Sequence, residues 1–292
     1  MSNIQEKYNF GWVRDLPDFR DYSIEQDDIK SMLKKLKVLA PTSDLPEKVN
    51  LKPWCSPIED QGALGSCTAN AGVGMIEFYE NKAFGEHLNA SKLFLYKVTR
   101  NLLGWTGDTG AYLRSTMGAM ALFGVPPEKY WPYDISKFDV EPSAFLYAFG
   151  QSYQAISYYR LDPSGTQPEK LLERIKTNLA ANMPSMFGFT VYDSIRQANG
   201  AGKGKIPFPC ATDRAQGGHA IVAVGYDDKL KIKNSNCHSS TTGAFLIRNS
   251  WSSDWGDEGY GWLPYEYVLQ GLAVDWWSLI KKDYIYTKAF GL

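Results

Sequence analysis

Residues 59–78, "EDQGALGSCTANAGVGMIEF", place a single cysteine, Cys67, where a glycine-rich loop gives way to apolar residues at helical spacing. Val73, Ile76, Phe78 and Tyr79 fall on one side of a helix predicted from Cys67 to about Phe84. A cysteine at that junction can be a small apolar core residue, half of a disulfide, or a nucleophile whose thiolate is favoured by the positive end of the helix. The stretch itself leaves all three open, so the choice rests on the rest of the chain.

Working outward, further helices are predicted in "NASKLFLYKVTRNLL" (89–103) and "AYLRSTMGAMALFG" (111–124). After about residue 151 the texture changes to short strand-like runs: "YQAISYYRL" (153–161), "PSMFGFTVY" (184–192), "GGHAIVAVGYD" (217–227), "GAFLIRNSW" (243–251) and "GYGWLPYEYV" (259–268). One helix, "PEKLLERIKTNLA" (168–180), interrupts them. A helical half followed by a strand half predicts an α+β fold with two lobes, and a cleft between lobes is a usual place for an active site. Residues 1–44 read either as an N-terminal extension or as a stretch carrying an ordinary surface helix. Its "GWVRDLPDFRDYSI" (11–24) is polar and turn-prone, "EQDDIKSMLKKLKVL" (25–39) puts Ile29, Met32, Leu33, Leu36 and Leu39 at helical spacing, and the prolines of "APTSDLP" (40–46) end the helix.

At 292 residues and 44% hydrophobic, the chain can bury a sizeable core. Its 31 basic residues balance 32 acidic ones with no long block of one sign, so nothing points to nucleic acid or an anionic membrane surface. Apolar runs such as "HAIVAVGY" (219–226) fall far short of the roughly 20 residues of a membrane span. The N-terminus has no basic segment followed by an apolar one, so no Sec-type signal is visible, and the expectation is a cytoplasmic protein or one exported by another route. Cys55, Cys67, Cys210 and Cys237 are too widely spaced for paired metal or redox motifs.

With only His87, His219 and His238, several chemistries drop out: HExxH, GxSxG, the P-loop and the EF-hand pattern are all missing. "GAGKGK" (200–205) lacks P-loop spacing, and Cys210, Cys237 and His238 lack zinc-ligand spacing, so no metal or organic cofactor is expected. What remains is a cysteine nucleophile, which needs a base, a group to orient that base, and an oxyanion donor. Gln61 precedes Cys67 in the loop, His219 sits in "GGHAIVAVGYD", and Asn249 opens "NSWSSDWGDEGYGW" (249–262). Singly, each has a plain structural reading: Cys67 and His219 as core residues, Gln61 as an exposed loop residue, "NSW" as a turn. Their joint occurrence in this order is what carries weight.

These three blocks resemble the papain-like cysteine peptidases over about residues 45–275, the most specific being NSW-x3-WG-x2-GYG, and "SPIEDQGALGSCTANA" (56–71) looks most like the bacterial, xylellain-type branch. The resemblance implies a two-lobe fold with a helical lobe at about 60–150, an antiparallel β-barrel-like lobe at about 151–275, and a C-terminal tail at 276–292. It implies a cysteine endopeptidase: Cys67 attacks the scissile carbonyl, Gln61 and the Cys67 backbone N–H hold the oxyanion, His219 serves as acid and then base, and Asn249 orients its ring. Trp251 would shield the Asn249–His219 hydrogen bond from water. A papain-fold acyl transferase or ligase would use the same four residues, and an inactive binding module would share the fold.

The resemblance also places substrate contacts. Gly65 and Ser66 would let substrate backbone approach, and Thr109 and Gly110 of "GDTGAYLRS" (107–115) would hold it as a short strand. Ala111, Tyr112, Gly188 and Gly218 would surround the pocket for the side chain two residues before the scissile bond, roomy because both glycines are small. The implied partners are peptide or protein substrates of a monomer, with residues 1–44 as an intramolecular inhibitor of a zymogen, preceding a mature-like start at "LPEKVNL" (45–51). The chain departs from the family pattern twice. Leu64 stands where a half-cystine is usual, which fits a reducing compartment, and Thr68 stands where an aromatic follows the nucleophile. Cys210 matches a family half-cystine without its usual partner, and Cys237, in the inserted stretch "DDKLKIKNSNCHSSTTG" (227–243), is either its alternative partner or a second free thiol.

Overall fold

The computed structural model describes residues 7–35, 45–153 and 157–280. Leu36 and Leu39 of the N-terminal helical pattern, residues 154–156 of the first strand-like run and residues 281–292 of the tail lie outside them.

The first long helix is α2, Cys67–Phe84, after α1, Asp27–Lys35, in the extension. Every residue of α2 from Cys67 to Phe78 is buried, because the helix lies between the sheet and the helices that follow. It stops at Gly85, whose φ of 66° suits a left-handed cap. α3, Lys92–Leu103, starts where Ser91 Oγ accepts the Phe94 N–H at 3.1 Å, and ends on Gly104, also left-handed. α4, Leu113–Leu122, and α5, Ala144–Gly150, complete the helical lobe, and α6, Pro168–Ala180, begins with proline where no intrahelical N–H is needed.

The second lobe is an antiparallel seven-stranded sheet: β1 Lys48–Asn50, β2 Ser157–Arg160, β3 Ser185–Tyr192, β4 Ala215–Lys233, β5 Ser240–Arg248, β6 Tyr260–Pro264 and β7 Ala273–Ile280. The order is β2-β7-β3-β4-β5-β6, with β1 paired to β4. Phe187 and Trp276 stack at 3.8 Å in its core.

Three stretches differ from the sequence reading. β4 runs on to Lys233, so "DDKLKIK" is strand: Lys229, Lys231 and Lys233 are exposed while Ile232 is buried, a period of two. Residues 276–280, assigned above to a tail, are the buried end of β7. "YEYV" is not strand but the short helix α7, Glu266–Leu269. Of the two states left open for Cys210 and Cys237, the structure has the disulfide, joining the β4–β5 hairpin turn to the loop before β4. Cys55 and Cys67 are free.

Candidate active site

Cys67 is the first residue of α2 and is fully buried, so its thiol faces the end of the helix where N–H groups lack intrahelical partners. His219 lies in β4 and Asn249 directly follows β5, which pairs with β4. Antiparallel pairing therefore brings the two together: His219 Nε2 and Asn249 Oδ1 are 2.8 Å apart. Oδ1 also accepts the Ser250 N–H at 2.8 Å, which fixes it as an acceptor and puts the imidazole proton on Nε2. His219 Nδ1 is left buried with no hydrogen-bond partner, its lone pair free to take a proton.

Aromatic rings enclose this pair. The Trp251 indole stacks on His219 at 4.4 Å with 24° between planes, and Trp255 stands edge-on to Trp251. The Asn249–His219 bond is thus buried beneath these rings. Tyr8, from the extension, stacks on Trp251 at 5.1 Å and donates its hydroxyl to the Trp251 carbonyl at 2.7 Å.

Gln61 is buried and held by both ends. Its Oε1 accepts the Ser250 hydroxyl at 2.7 Å, which turns Nε2 to donate to the carbonyls of Asn9 and Leu64, each at 3.0 Å. Tyr133 closes the loop by donating to the Gln61 carbonyl at 3.0 Å and pairing with Ser66 Oγ at 2.6 Å. Gly65 donates its N–H to the Asp108 carboxylate, which also takes the Tyr96 hydroxyl at 2.5 Å and Asn9 Nδ2 at 2.8 Å. Ser250, Tyr133 and Asp108 escaped the sequence reading. Ser250 and Asp108 lie inside quoted motifs, whereas Tyr133 carries no local signal.

Part of the extension threads this site. Ala111 N–H donates to the Gly11 carbonyl at 2.8 Å, Val13 N–H to the Ala111 carbonyl at 3.1 Å, and Trp12 N–H to the Gly218 carbonyl at 3.2 Å. Gly11 passes so close to the loop before Cys67 that a Cβ there would fall 1.7 Å from the Gly65 carbonyl oxygen. The Trp12 indole fills the space between Gly188 and Gly218 that the sequence left roomy, and a cavity of about 280 Å³ remains beside it. Among the expected substrate contacts, Gly65, Gly110, Ala111, Gly188 and Gly218 meet the extension. Thr109 donates to the Gly110 carbonyl, Gly110 N–H to Tyr96, and Tyr112 packs its ring on Trp105 at 5.2 Å.

Burial governs protonation here. It pushes the Cys67 thiol up to about 11, although the backbone N–H groups of Ala220, Gly11, Thr68 and Cys67 itself favour the thiolate. It pulls His219 down to about 4, against the bond to Asn249. With the extension in place the thiol and imidazole are therefore both neutral. No group of His, Cys, Asp and Glu able to hold a metal occurs among the described residues.

Residues 45–270 match the model of the papain family cysteine proteases. An uncharacterized peptidase C1-like protein of Acanthamoeba polyphaga mimivirus is 34% identical over 283 residues, covering 93% of this chain and 86% of that protein. Cathepsin K of Gallus gallus is 25% identical over 218 residues, 72% of this chain and 55% of its own. Among solved structures, xylellain, a cysteine protease from Xylella fastidiosa, superposes with a TM-score of 0.75 at 32% identity, covering 94% of this chain and 96% of that one.

Proposed function

Because the chain belongs to the papain family of cysteine proteases, we propose that it is an endopeptidase whose nucleophile is Cys67, made as a zymogen with residues 7–25 lying in its own cleft. The observation that carries the reading is the His219–Asn249 pair, 2.8 Å apart and shielded by Trp251, with Nδ1 left open as a base.

In this mechanism the scissile carbonyl takes the place of the Asn9 carbonyl at Gln61 Nε2. The Cys67 sulfur adds to the carbonyl carbon, and the resulting oxyanion is held by the Gln61 amide and the Cys67 N–H. His219 protonates the departing amine, leaving a thioester on Cys67. It then removes a proton from water, which attacks the thioester, releases the acid and restores the thiol. Asn249 holds Nε2 protonated throughout, so that the exchanged proton comes and goes at Nδ1. Rehydration of the cleft, once the extension leaves, lowers the thiol's pKa and raises the imidazole's, which favours the thiolate–imidazolium pair.

The test is hydrolysis of fluorogenic peptides by the full-length chain. Gly11→Val, for which there is no space beside the Gly65 carbonyl, should raise the rate at least about tenfold by lifting the extension. Adding Cys67→Ser should abolish hydrolysis. A Gly11→Val chain no faster than the parent would count against the inhibitory extension, and persistence of hydrolysis without Cys67 would overturn the assignment of the nucleophile.

A further inference from the structure

Gln61 is gripped from both lobes, by different atoms. From the β side, the Ser250 carbonyl accepts the Gln61 N–H at 2.9 Å and the Ser250 hydroxyl donates to Oε1 at 2.7 Å. From the helical side, the Tyr133 hydroxyl donates to the Gln61 carbonyl at 3.0 Å. With that proton spent, the serine is the donor in the 2.6 Å contact between Ser66 Oγ and Tyr133 Oη. Ser66 Oγ in turn accepts Asn70 Nδ2 at 3.0 Å from the start of α2. Burial pushes the Tyr133 hydroxyl up to about 12, so it keeps its proton throughout the neutral range.

The segment closed by these bonds, residues 61–66, carries one oxyanion donor at each end: the Gln61 side-chain amide, and the N–H of Cys67 directly after Ser66. Within the segment the Gln61 carbonyl has only the Leu64 N–H at 3.4 Å, too long to fix the turn. Building on the roles proposed above for Cys67 and Gln61, we infer that Tyr133 is a positioning residue, whose hydroxyl clamps Gln61 to Ser66 and so sets the separation of the two oxyanion donors.

Two features separate a clamp from a ring that merely fills space. Without the Tyr133 hydroxyl the donors belong to different bodies, since Cys67 is part of α2 while Gln61 stays bonded to Ser250, which follows β5. The tyrosine is also anchored from behind. Its N–H donates to Glu128 Oε1 at 3.2 Å, and Glu128 pairs through its other oxygen with Lys92, a buried cation at the start of α3. Lys92 pairs as well with Glu59, two residues before Gln61, at 3.0 Å. One ammonium thus holds both the tyrosine and the entry to the segment it closes.

The experiment introduces Tyr133→Phe, which keeps the ring and removes both hydrogen bonds, into the full-length chain carrying Gly11→Val. Two rates are read at Cys67: hydrolysis of a fluorogenic peptide amide, which develops an oxyanion, and alkylation by iodoacetamide, which expels iodide and develops none. The expected result is a kcat about tenfold lower, with KM within about twofold and alkylation unchanged. An unchanged kcat, or hydrolysis and alkylation falling together, would overturn the inference. If Tyr133→Phe does not fold, Ser66→Ala breaks one of the two bonds and should lower kcat about threefold with alkylation again unchanged; an unaltered kcat would count equally against the clamp. If the Gly11→Val chain cleaves nothing, the failure belongs to the proposed activity, and the clamp is then read in the otherwise unchanged chain bearing Tyr133→Phe. Backbone amides of residues 64–67 should exchange hydrogen about tenfold faster than in the parent; unchanged exchange would overturn the role of Tyr133 independently of any catalysis.

Discussion

Cys67 and His219 are both uncharged across the neutral range while Gly11 and Phe10 of the extension lie against them, the thiol titrating near 11 and the imidazole near 4. Alkylation requires the thiolate, so its rate rises with pH through the thiol's pKa. In the full-length protein the iodoacetamide rate at Cys67 should therefore climb only as pH approaches 11, and in Gly11→Val the climb should move to lower pH because water reaches the sulfur. Superimposable profiles, followed by peptide mass mapping, would refute this. The same shift bears on stability: the folded chain keeps a proton that the unfolded thiol releases near 9, so this group's contribution is complete below pH 9 and is lost as pH rises to about 11. The sequence showed Cys67, His219, Asn249 and Gln61 as residues because each sits in a local motif, although their catalytic roles rest on the experiments above. It could not show Tyr133, whose partner Gln61 is 72 positions away. A hydrogen bond between such distant segments leaves no local pattern in either.

Gly74 sits in the middle of α2, where helix propensity alone favours alanine by about 1 kcal/mol. A Cβ there would lie 2.6 Å from an Arg248 guanidinium nitrogen. That guanidinium is buried and committed, donating to Ser56 Oγ at 2.9 Å and the Pro57 carbonyl at 2.7 Å, while Ser56 bonds to Glu77 one turn further along α2. Packing should win over propensity: Gly74→Ala is expected to destabilise the protein by about 1–3 kcal/mol, read by urea denaturation, and a gain in stability would show that the arginine yields instead. Elements were legible where their ends have chemistry of their own, such as α6 behind Pro168 or α2 ahead of Gly85. β7 was missed because "WWSLI" is buried on both faces and lacks the alternation of a half-exposed strand. "YEYV" satisfies strand and helix periods equally over so few residues.

At the level of the molecule, the Cys210–Cys237 bridge spans 27 positions and ties the β4–β5 hairpin to the loop before β4. Loop-closure entropy assigns such a bridge about 3–4 kcal/mol. Cys237→Ser should accordingly lower Tm by roughly 10 °C in calorimetry, and an unchanged Tm would mean that the hairpin holds its place without it. The two lobes were foreseeable from the change of texture near residue 151, and an extension over the cleft was expected from the resemblance, whereas the residues that anchor it there were not. That anchoring depends on Asp21 meeting Arg114 of α4 on one side and Arg160 of β2 on the other, at 2.6 and 3.4 Å. The extension is continuous with the domain it covers, so the cleft experiences it at an effective concentration on the order of millimolar, whatever the dilution of the protein. One cut in the connecting chain would turn that fixed quantity into an ordinary bimolecular equilibrium. Under the zymogen reading proposed above, activity would then depend on protein concentration: a dilute sample would lose its inhibitor by dissociation, while a concentrated one would remain restrained by segments already severed.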